Sequence, residues 1–404
     1  MRGGSPRVAF FPDAYYEIDG VAKTSRHFEA FARERQLPFL MVHAGPRNEV
    51  TTNGSVTKIQ LQRSAMSFPL DRGHQYDLLF QRYRNLLMPL VRAFNPDVVQ
   101  ITGPTDVGTL GAMIAHKLSI PLAATWQTNL PMYAGIRISQ AFSFLPNFFS
   151  QWLAKVAEYW STRATTRFYK WPRLLFAPNP DLVLQLGTAT GRPCVLMSHS
   201  VDTDVFNPRF RDRNGGPFRI GYVGRLTPEK NVRWLAQLEE KLVARGHTDF
   251  EIMVVGDGAE GPWLRKNMQR AQFTGVLTGE ALARAFANMD VLAFPSRTET
   301  FGLVVLEAQA SGVPAVVTDA GGPKFAVQRG ETGFVVNNLD EFADCVELLL
   351  TQPERLSLMR TAARENALST SWTKIFEGMY YAYNHSFGNA APITTHGILD
   401  TAKT

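Results

Sequence analysis

Cysteine is nearly absent: the 404 residues hold two, Cys194 and Cys345, far apart and without metal-ligand or C-x-x-C spacing. That scarcity excludes a disulfide framework or a zinc module and suits a reducing compartment. Long apolar runs are missing too, none approaching the roughly 18 residues of a spanning helix. The opening, "MRGGSPRVAFFPDAYYEIDG", lacks a signal peptide's apolar stretch, so a cytoplasmic protein is expected. A nicotinamide dinucleotide would need G-x-G-x-x-G after a strand together with an acid downstream for its ribose. "GYVGRLTPEKN" lacks it; "VVGDGAEG" has its spacing, at Gly256, Gly258 and Gly261, but no suitably placed acid downstream. The histidines, His27, His116 and His199 among them, show no metal spacing and read as structural or surface residues. No internal repeat or low-complexity tract is present.

What is present is an ordinary globular composition, 45% hydrophobic and 19% charged, in a chain long enough for two domains with separate cores. Charge divides unevenly. Residues 1–200 carry 21 Lys/Arg against 12 Asp/Glu, the remainder 21 against 24. A basic first half either attracts an anionic partner or is a solvated surface.

Short continuous apolar runs recur between helical patterns, as strands buried on both faces of a parallel sheet do. In the first half they are 7–12, 38–44, 97–102, 121–126, 174–178 and 194–199; in the second, 218–224, 250–256, 291–296, 314–318 and 333–336. Helical stretches at 230–245 and 279–289 lie between the latter, and one at 339–350 follows them. The alternation predicts an α/β fold of two doubly wound domains, 1–200 and 201–370, with the boundary in the polar stretch 201–218. Ligands of such sheets bind beyond the carboxyl ends of the strands, so the motifs belong on strand-to-helix loops.

Two loops carry chemistry. In "GYVGRLTPEKN" a strand ends at Gly224, and Arg225 and Lys230 follow. A guanidinium fork and an ammonium there can clamp a diphosphate, although alone the pair reads equally as solvated basic side chains. In "SRTETFGLVVLEAQASG" the chain turns at Phe301, Gly302 and Leu303 into a helix whose free N–H groups would face an anion. Glu299 precedes that turn, near whatever the phosphate is attached to, and Glu307 lies further along, where a carboxylate would hold a ribose by two hydroxyls. Either acid alone reads as a surface glutamate; together, beside the Arg/Lys pair, they form a pattern.

The stretches "GRLTPEKN", "VVGDGAEGPWL", "FTGVLTGEALARAFANMDVLAFPSRTETFGLVVLEAQASGVPAVVTDAGGP" and "GETGFVV" resemble the retaining GT-B glycosyltransferases of family 4, most specifically over 215–340. The first half resembles them less strongly, through "DGVAKTSRHFEAFARER", "NPDVVQITGP" and "VDTDVFNP". The resemblance implies two Rossmann-like domains facing across a cleft, a nucleotide-sugar donor on the second, an acceptor on the first, and a last helix, about 371–388, returning to the first domain. It implies a hexosyltransferase that retains anomeric configuration, takes a nucleoside-diphosphate sugar (UDP ahead of GDP), and needs no cofactor or metal. The Asp-x-Asp triplet of the donor half, Asp202-Thr203-Asp204, lies in the polar boundary stretch 201–218 and is not read as a divalent-ion site.

Arg225 and Lys230 match the diphosphate pair, Glu299 the acid on the sugar hydroxyls and Glu307 the acid on ribose. Those three, Arg225, Lys230 and Glu299, are the expected catalytic set. Gly224 and the backbone of Phe301, Gly302 and Leu303 match the phosphate turn. Val276 and Leu277 fall where backbone meets the base, and Gly20 matches a glycine loop near the phosphates, with Asp19 in place of a common first glycine. Gln127, in "ATWQTNLPMY", stands where many relatives have a histidine on the acceptor side. It cannot serve as a base near neutral pH, which motivates an alternative in which the protein binds nucleotide sugar without turnover.

Residues 137–173 hold six basic residues, one acid (Glu158) and many aromatics. Phe149, Trp152, Val156 and Trp160 recur at helical spacing. The stripe packs into the first domain's core, the favoured reading, or lies on an anionic membrane, tilting the acceptor towards a lipid or lipid-linked molecule over a small soluble one or a polysaccharide. Nucleic acid is not expected. The tail 389–404 lacks periodicity and reads as disordered.

Overall fold

The computed structural model describes residues 5–17, 20–71, 74–127, 147–213 and 215–387. Asp19, the aromatic stretch up to residue 146 and the tail 389–404, all weighed above, lie outside them. The chain divides at Ser198/His199 and again at Ser371/Trp372 into two compact units, the second continuous and the first completed by the chain after it.

The first unit is built on an eight-stranded sheet. Its strands are β1 (Val8–Phe11), β2 (Phe39–Gly45), β3 (Glu49–Asn53), β4 (Val56–Gln62), β7 (Val98–Ile101), β8 (Leu122–Thr125), β9 (Leu174–Ala177) and β10 (Cys194–Leu196), with a separate ribbon of β5 (Ser67–Asp71) and β6 (His74–Asp77). The sheet order is β10-β9-β8-β7-β1-β2-β4-β3, parallel except that β3 runs against β4. Strand side chains alternate between two buried clusters. Val8, Phe10 and Val98 face Phe28, Phe31, Phe376 and Tyr383; Ala9, Phe11 and Val99 face Leu87, Val91, Leu110 and Ile114. With both faces covered, period-two alternation disappears from the sequence. That is why these strands read as solid apolar runs.

The second unit has six parallel strands, β11 (Phe218–Val223), β12 (Phe250–Val255), β13 (Ala271–Gly275), β14 (Val291–Phe294), β15 (Ala315–Thr318) and β16 (Gly333–Val336), in the order β13-β12-β11-β14-β15-β16. The chain works outwards from β11 in one direction, then restarts at β14 on its other side. The order thus reverses between β11 and β14, the position where ligands of such sheets bind. Side-chain caps set helix starts: Asn179 accepts from the Leu182 N–H, and Asn338 from that of Glu341, whose carboxylate returns to the Asn337 N–H.

Five strands were not read as strands: β3, β4, β13 and the two of the ribbon, β5 and β6. "EVTTN", "VTKIQLQ" and "AQFTG" mix polar and apolar residues because they lie at or beside sheet edges. The helix Asn147–Phe168 also corrects an expectation. Trp160 is 62% exposed and Tyr159 is exposed beside it, while Thr165 and Tyr169 face inwards, so the aromatic stripe does not enter the core at Trp160. The side chains of Phe149 and Trp152 lie outside the described residues.

Candidate active site

In the second unit, the loops after β11 and β14 meet because those strands are neighbours, pairing at Ile220–Val291 and Gly221–Leu292. Gly224 follows β11 with φ +155°, and its N–H bonds Val255 O at 3.0 Å. The backbone is packed against its neighbour here. A Cβ on Gly256 would lie 1.9 Å from Gly224 O, so glycine is required there. Beneath the loop, buried Tyr222 donates its hydroxyl to Arg225 O at 2.9 Å, and burial raises its pKa well above the usual phenol value, with Glu299 adding to the shift. Arg225 itself is half-buried. The short turn Pro228–Lys230 ends in Asn231, in the left-handed region at φ +54°, and leaves Lys230 only 4% exposed.

From the other loop, Glu299 reaches back. Its Oε1 accepts from Lys230 Nζ at 2.6 Å, across 69 residues of sequence. The loop is held on two sides. Thr298 donates its hydroxyl to Glu229 O at 3.2 Å, and Gly322 N–H donates to Glu299 O at 2.8 Å. That second contact depends on Gly322, where a Cβ would fall 2.0 Å from Thr300 O. Gly302, at φ +88°, starts the helix Leu303–Ala310 without a side-chain cap, and Val305 N–H bonds Gly302 O at 3.0 Å. Phe301 is buried, Leu303 half-buried, and Glu307 sits in the second turn of the helix, 5% exposed.

Of the expected site residues, Gly224, Arg225, Lys230, Glu299, Phe301, Gly302, Leu303 and Glu307 therefore lie on two adjoining loops and the helix after them, and Lys230 and Glu299 touch. Val276 and Leu277 follow β13, two strands from β11. Val276 is exposed and Leu277 packs on the core. Gly20 and Gln127 belong to the first unit. Gly20 opens the helix Gly20–Glu34, and Gln127, 8% exposed, follows β8. Beside it, Trp126 packs against Tyr169 (ring centroids 4.9 Å), whose hydroxyl donates to Thr125 O at 3.2 Å. Among the described residues no group of three metal-ligating side chains comes together.

Sequence reading assigned no role to Tyr222, Gly321, Gly322 or His199. A hydroxyl-bearing aromatic in the otherwise apolar "GYV" and the glycine pair in "DAGGP" were the available signals. His199 left no signal in the sequence. It is buried, its ring 4.7 Å from that of Phe301, and burial lowers its pKa to about 4, so it is neutral.

A family model described as glycosyl transferases group 1 matches residues 217–352. Sulfoquinovosyl transferase SQD2 of Arabidopsis thaliana is 30% identical over 406 residues, covering 93% of this chain and 74% of that protein. A GDP-mannose-dependent alpha-mannosyltransferase of Mycolicibacterium smegmatis is 31% identical, covering 76% of this chain and 78% of its own length. Among solved structures, sucrose-phosphate synthase from Thermosynechococcus elongatus superposes with a TM-score of 0.71 at 16% identity, over 94% of this chain and 98% of that one. HepE of Anabaena, solved with UDP-glucose, gives 0.61 at 15%, over 98% and 99%. At such identities the structural likeness is one of fold.

Proposed function

Since the chain belongs to the group 1 glycosyl transferases and has their GT-B fold, we propose that it moves a hexose from a nucleoside-diphosphate sugar to an acceptor hydroxyl with retention of anomeric configuration. Sugar transfer from a nucleotide sugar is the family's activity; the hexose, the stereochemistry and the residue roles are our reading. The observation that carries it is the meeting of Lys230 and Glu299 at 2.6 Å where the strand order reverses, beside the helix that opens at Gly302.

In this reading Lys230, Arg225 and the free N–H groups at Leu303 and Val304 receive the diphosphate, lowering the cost of the charge that grows on it as the anomeric C–O bond breaks. Glu299 accepts from sugar hydroxyls and Glu307 from the ribose. The backbone at Val276 and Leu277 faces the base. The acceptor oxygen attacks on the face the diphosphate leaves, and its proton passes to a phosphate oxygen, so Gln127 need hold no proton. The two cations supply the charge a divalent ion supplies elsewhere, and activity should survive a chelator. Removing one such group should lower kcat by about 100-fold or more, so Lys230→Ala and Glu299→Ala assayed for donor turnover test the assignment. Near-normal rates in both would sink it. A thermal-shift screen of UDP-, GDP- and ADP-sugars identifies the donor, since a tight ligand raises stability by mass action. We place uridine ahead of guanosine, and stabilisation by GDP-mannose alone would reverse that order.

A second reading concerns the acceptor. Tyr159, Trp160 and Trp171 are exposed, and so are Lys155, Arg163, Arg167 and Lys170. On the helix, Lys155, Tyr159, Trp160, Arg163 and Arg167 fall within about 140° of one another, so the basic and aromatic residues share a face. Such a face suits an anionic membrane surface and, through it, a lipid or lipid-linked acceptor. Co-sedimentation with anionic vesicles at low salt, lost at high salt or in a Trp160→Ala/Arg163→Ala/Arg167→Ala variant, is the expected outcome. Absence of binding at low salt removes this reading. No helix among the described residues is long and apolar enough to cross a membrane.

A further inference from the structure

The two side chains assigned to opposite parts of the donor are, without it, spent on each other. Resting on that assignment, we propose that Glu299 is an internal competitor for the donor's diphosphate, so that the site accepts a nucleotide carrying its sugar and disfavours one that has lost it.

The two partners differ in freedom. Lys230 is buried, fixed by the tight turn that ends at left-handed Asn231, and its ammonium donates to no other side chain among the described residues. Glu299 keeps 29% of its side chain exposed, while its backbone is held by Gly322 N–H and by the neighbouring Thr298–Glu229 bond. The carboxylate can therefore swing about a stationary backbone, whereas the ammonium stays in place.

A diphosphate arriving at Lys230 must take the ammonium from Glu299. When the sugar is attached, its hydroxyls donate to the freed carboxylate, and one charge-assisted hydrogen bond is exchanged for others. When it is not, the carboxylate is left half-buried and unpaired beside phosphates of its own sign, which opposes binding. The second situation is also the state after transfer. Return of Glu299 to Lys230 then helps to expel the spent nucleoside diphosphate.

Calorimetric titration of the full chain with UDP, GDP and their hexose derivatives tests this. Glu299→Gln keeps the shape and can still accept from Lys230, but it carries no charge. We expect it to bind the sugar-free diphosphate on the order of tenfold tighter than the natural protein does. Its affinity for the sugar nucleotide should be unchanged or weaker, so that the preference for the sugar-bearing form shrinks. Glu299→Ala makes the same test should the Gln variant fail to fold, as judged by thermal unfolding. If the natural protein binds a sugar nucleotide and both charge-free variants bind the bare diphosphate no better than it does, the competition is overturned and the donor assignment stands. If the natural protein binds neither kind of nucleotide, the donor assignment falls and this inference falls with it.

Discussion

At the scale of single residues, a pH dependence follows from His199. Its folded pKa of about 4 lies below the ordinary 6.5 because burial penalises the imidazolium. Between those two values the unfolded chain takes up a proton that the folded one refuses. The contribution of His199 to stability is therefore intact above pH 6.5, falls as the pH drops through the window, and levels off below about 4. His199→Gln, which cannot titrate, should flatten that part of the profile of urea midpoint against pH; parallel profiles would show that other groups set it. The residue scale is also where sequence reading was most uneven. The placement of Arg225, Lys230, Glu299 and Gly302 on loops after strands was legible because each follows an apolar run. The Lys230–Glu299 bond was not, since 69 residues separate the two and only the pairing of β11 with β14 brings them together. Gly322 was equally hidden. Its requirement comes from Thr300 O in another loop, which no local pattern encodes.

At the scale of elements, the helix Trp372–Phe387 has the clearest energetic role. It buries Phe376, Met379, Tyr380 and Tyr383 in the first unit, with Phe376 stacked on Phe28 at 4.7 Å between centroids. Tyr383 donates to Gln100 Oε1 at 2.9 Å, and Gln100 donates on to Thr125 at 2.8 Å. Phe376→Ala should cost about 3–5 kcal/mol through the cavity it leaves. Tyr383→Phe, which removes only the hydroxyl and strands a buried acceptor, should cost about 1–3 kcal/mol. Both are read from denaturant midpoints by a probe in the first unit, and a midpoint in either variant equal to that of the natural protein would contradict the packing described. The continuous strands were legible from composition, since burial on both faces leaves solid apolar runs. β4 was not, although it pairs with β2 along seven residues, because "VTKIQLQ" keeps the polar side chains of a strand near the sheet's edge. Trp160 shows the converse failure. Helical spacing of aromatics gave a stripe, but spacing cannot say which way a stripe faces.

At the scale of the whole molecule, each unit has cores of its own, Tyr222, Phe294 and Phe342 in one and Phe11, Phe39 and Phe176 in the other. Scanning calorimetry should accordingly resolve two transitions, and a saturating nucleotide sugar should raise the one belonging to residues 199–371 by more than the other. Equal shifts of both would mean that the donor residues do not act from the second unit alone. Domain number was legible from length and from the repeated strand–helix alternation. The ownership of the chain's last described helix was expected only from the family resemblance, and the helix does pack in the first unit; an amphipathic segment by itself does not name its partner. That ownership has a consequence for biosynthesis. Strands β1 to β10 leave the ribosome first, yet the aromatic face under Phe28 and the polar end of Gln100 stay uncovered until Tyr383 has been made. The second unit can finish folding while the first is still waiting, so a chain interrupted after residue 371 would carry a complete Lys230–Glu299 site on a protein whose other half has an open, aggregation-prone face.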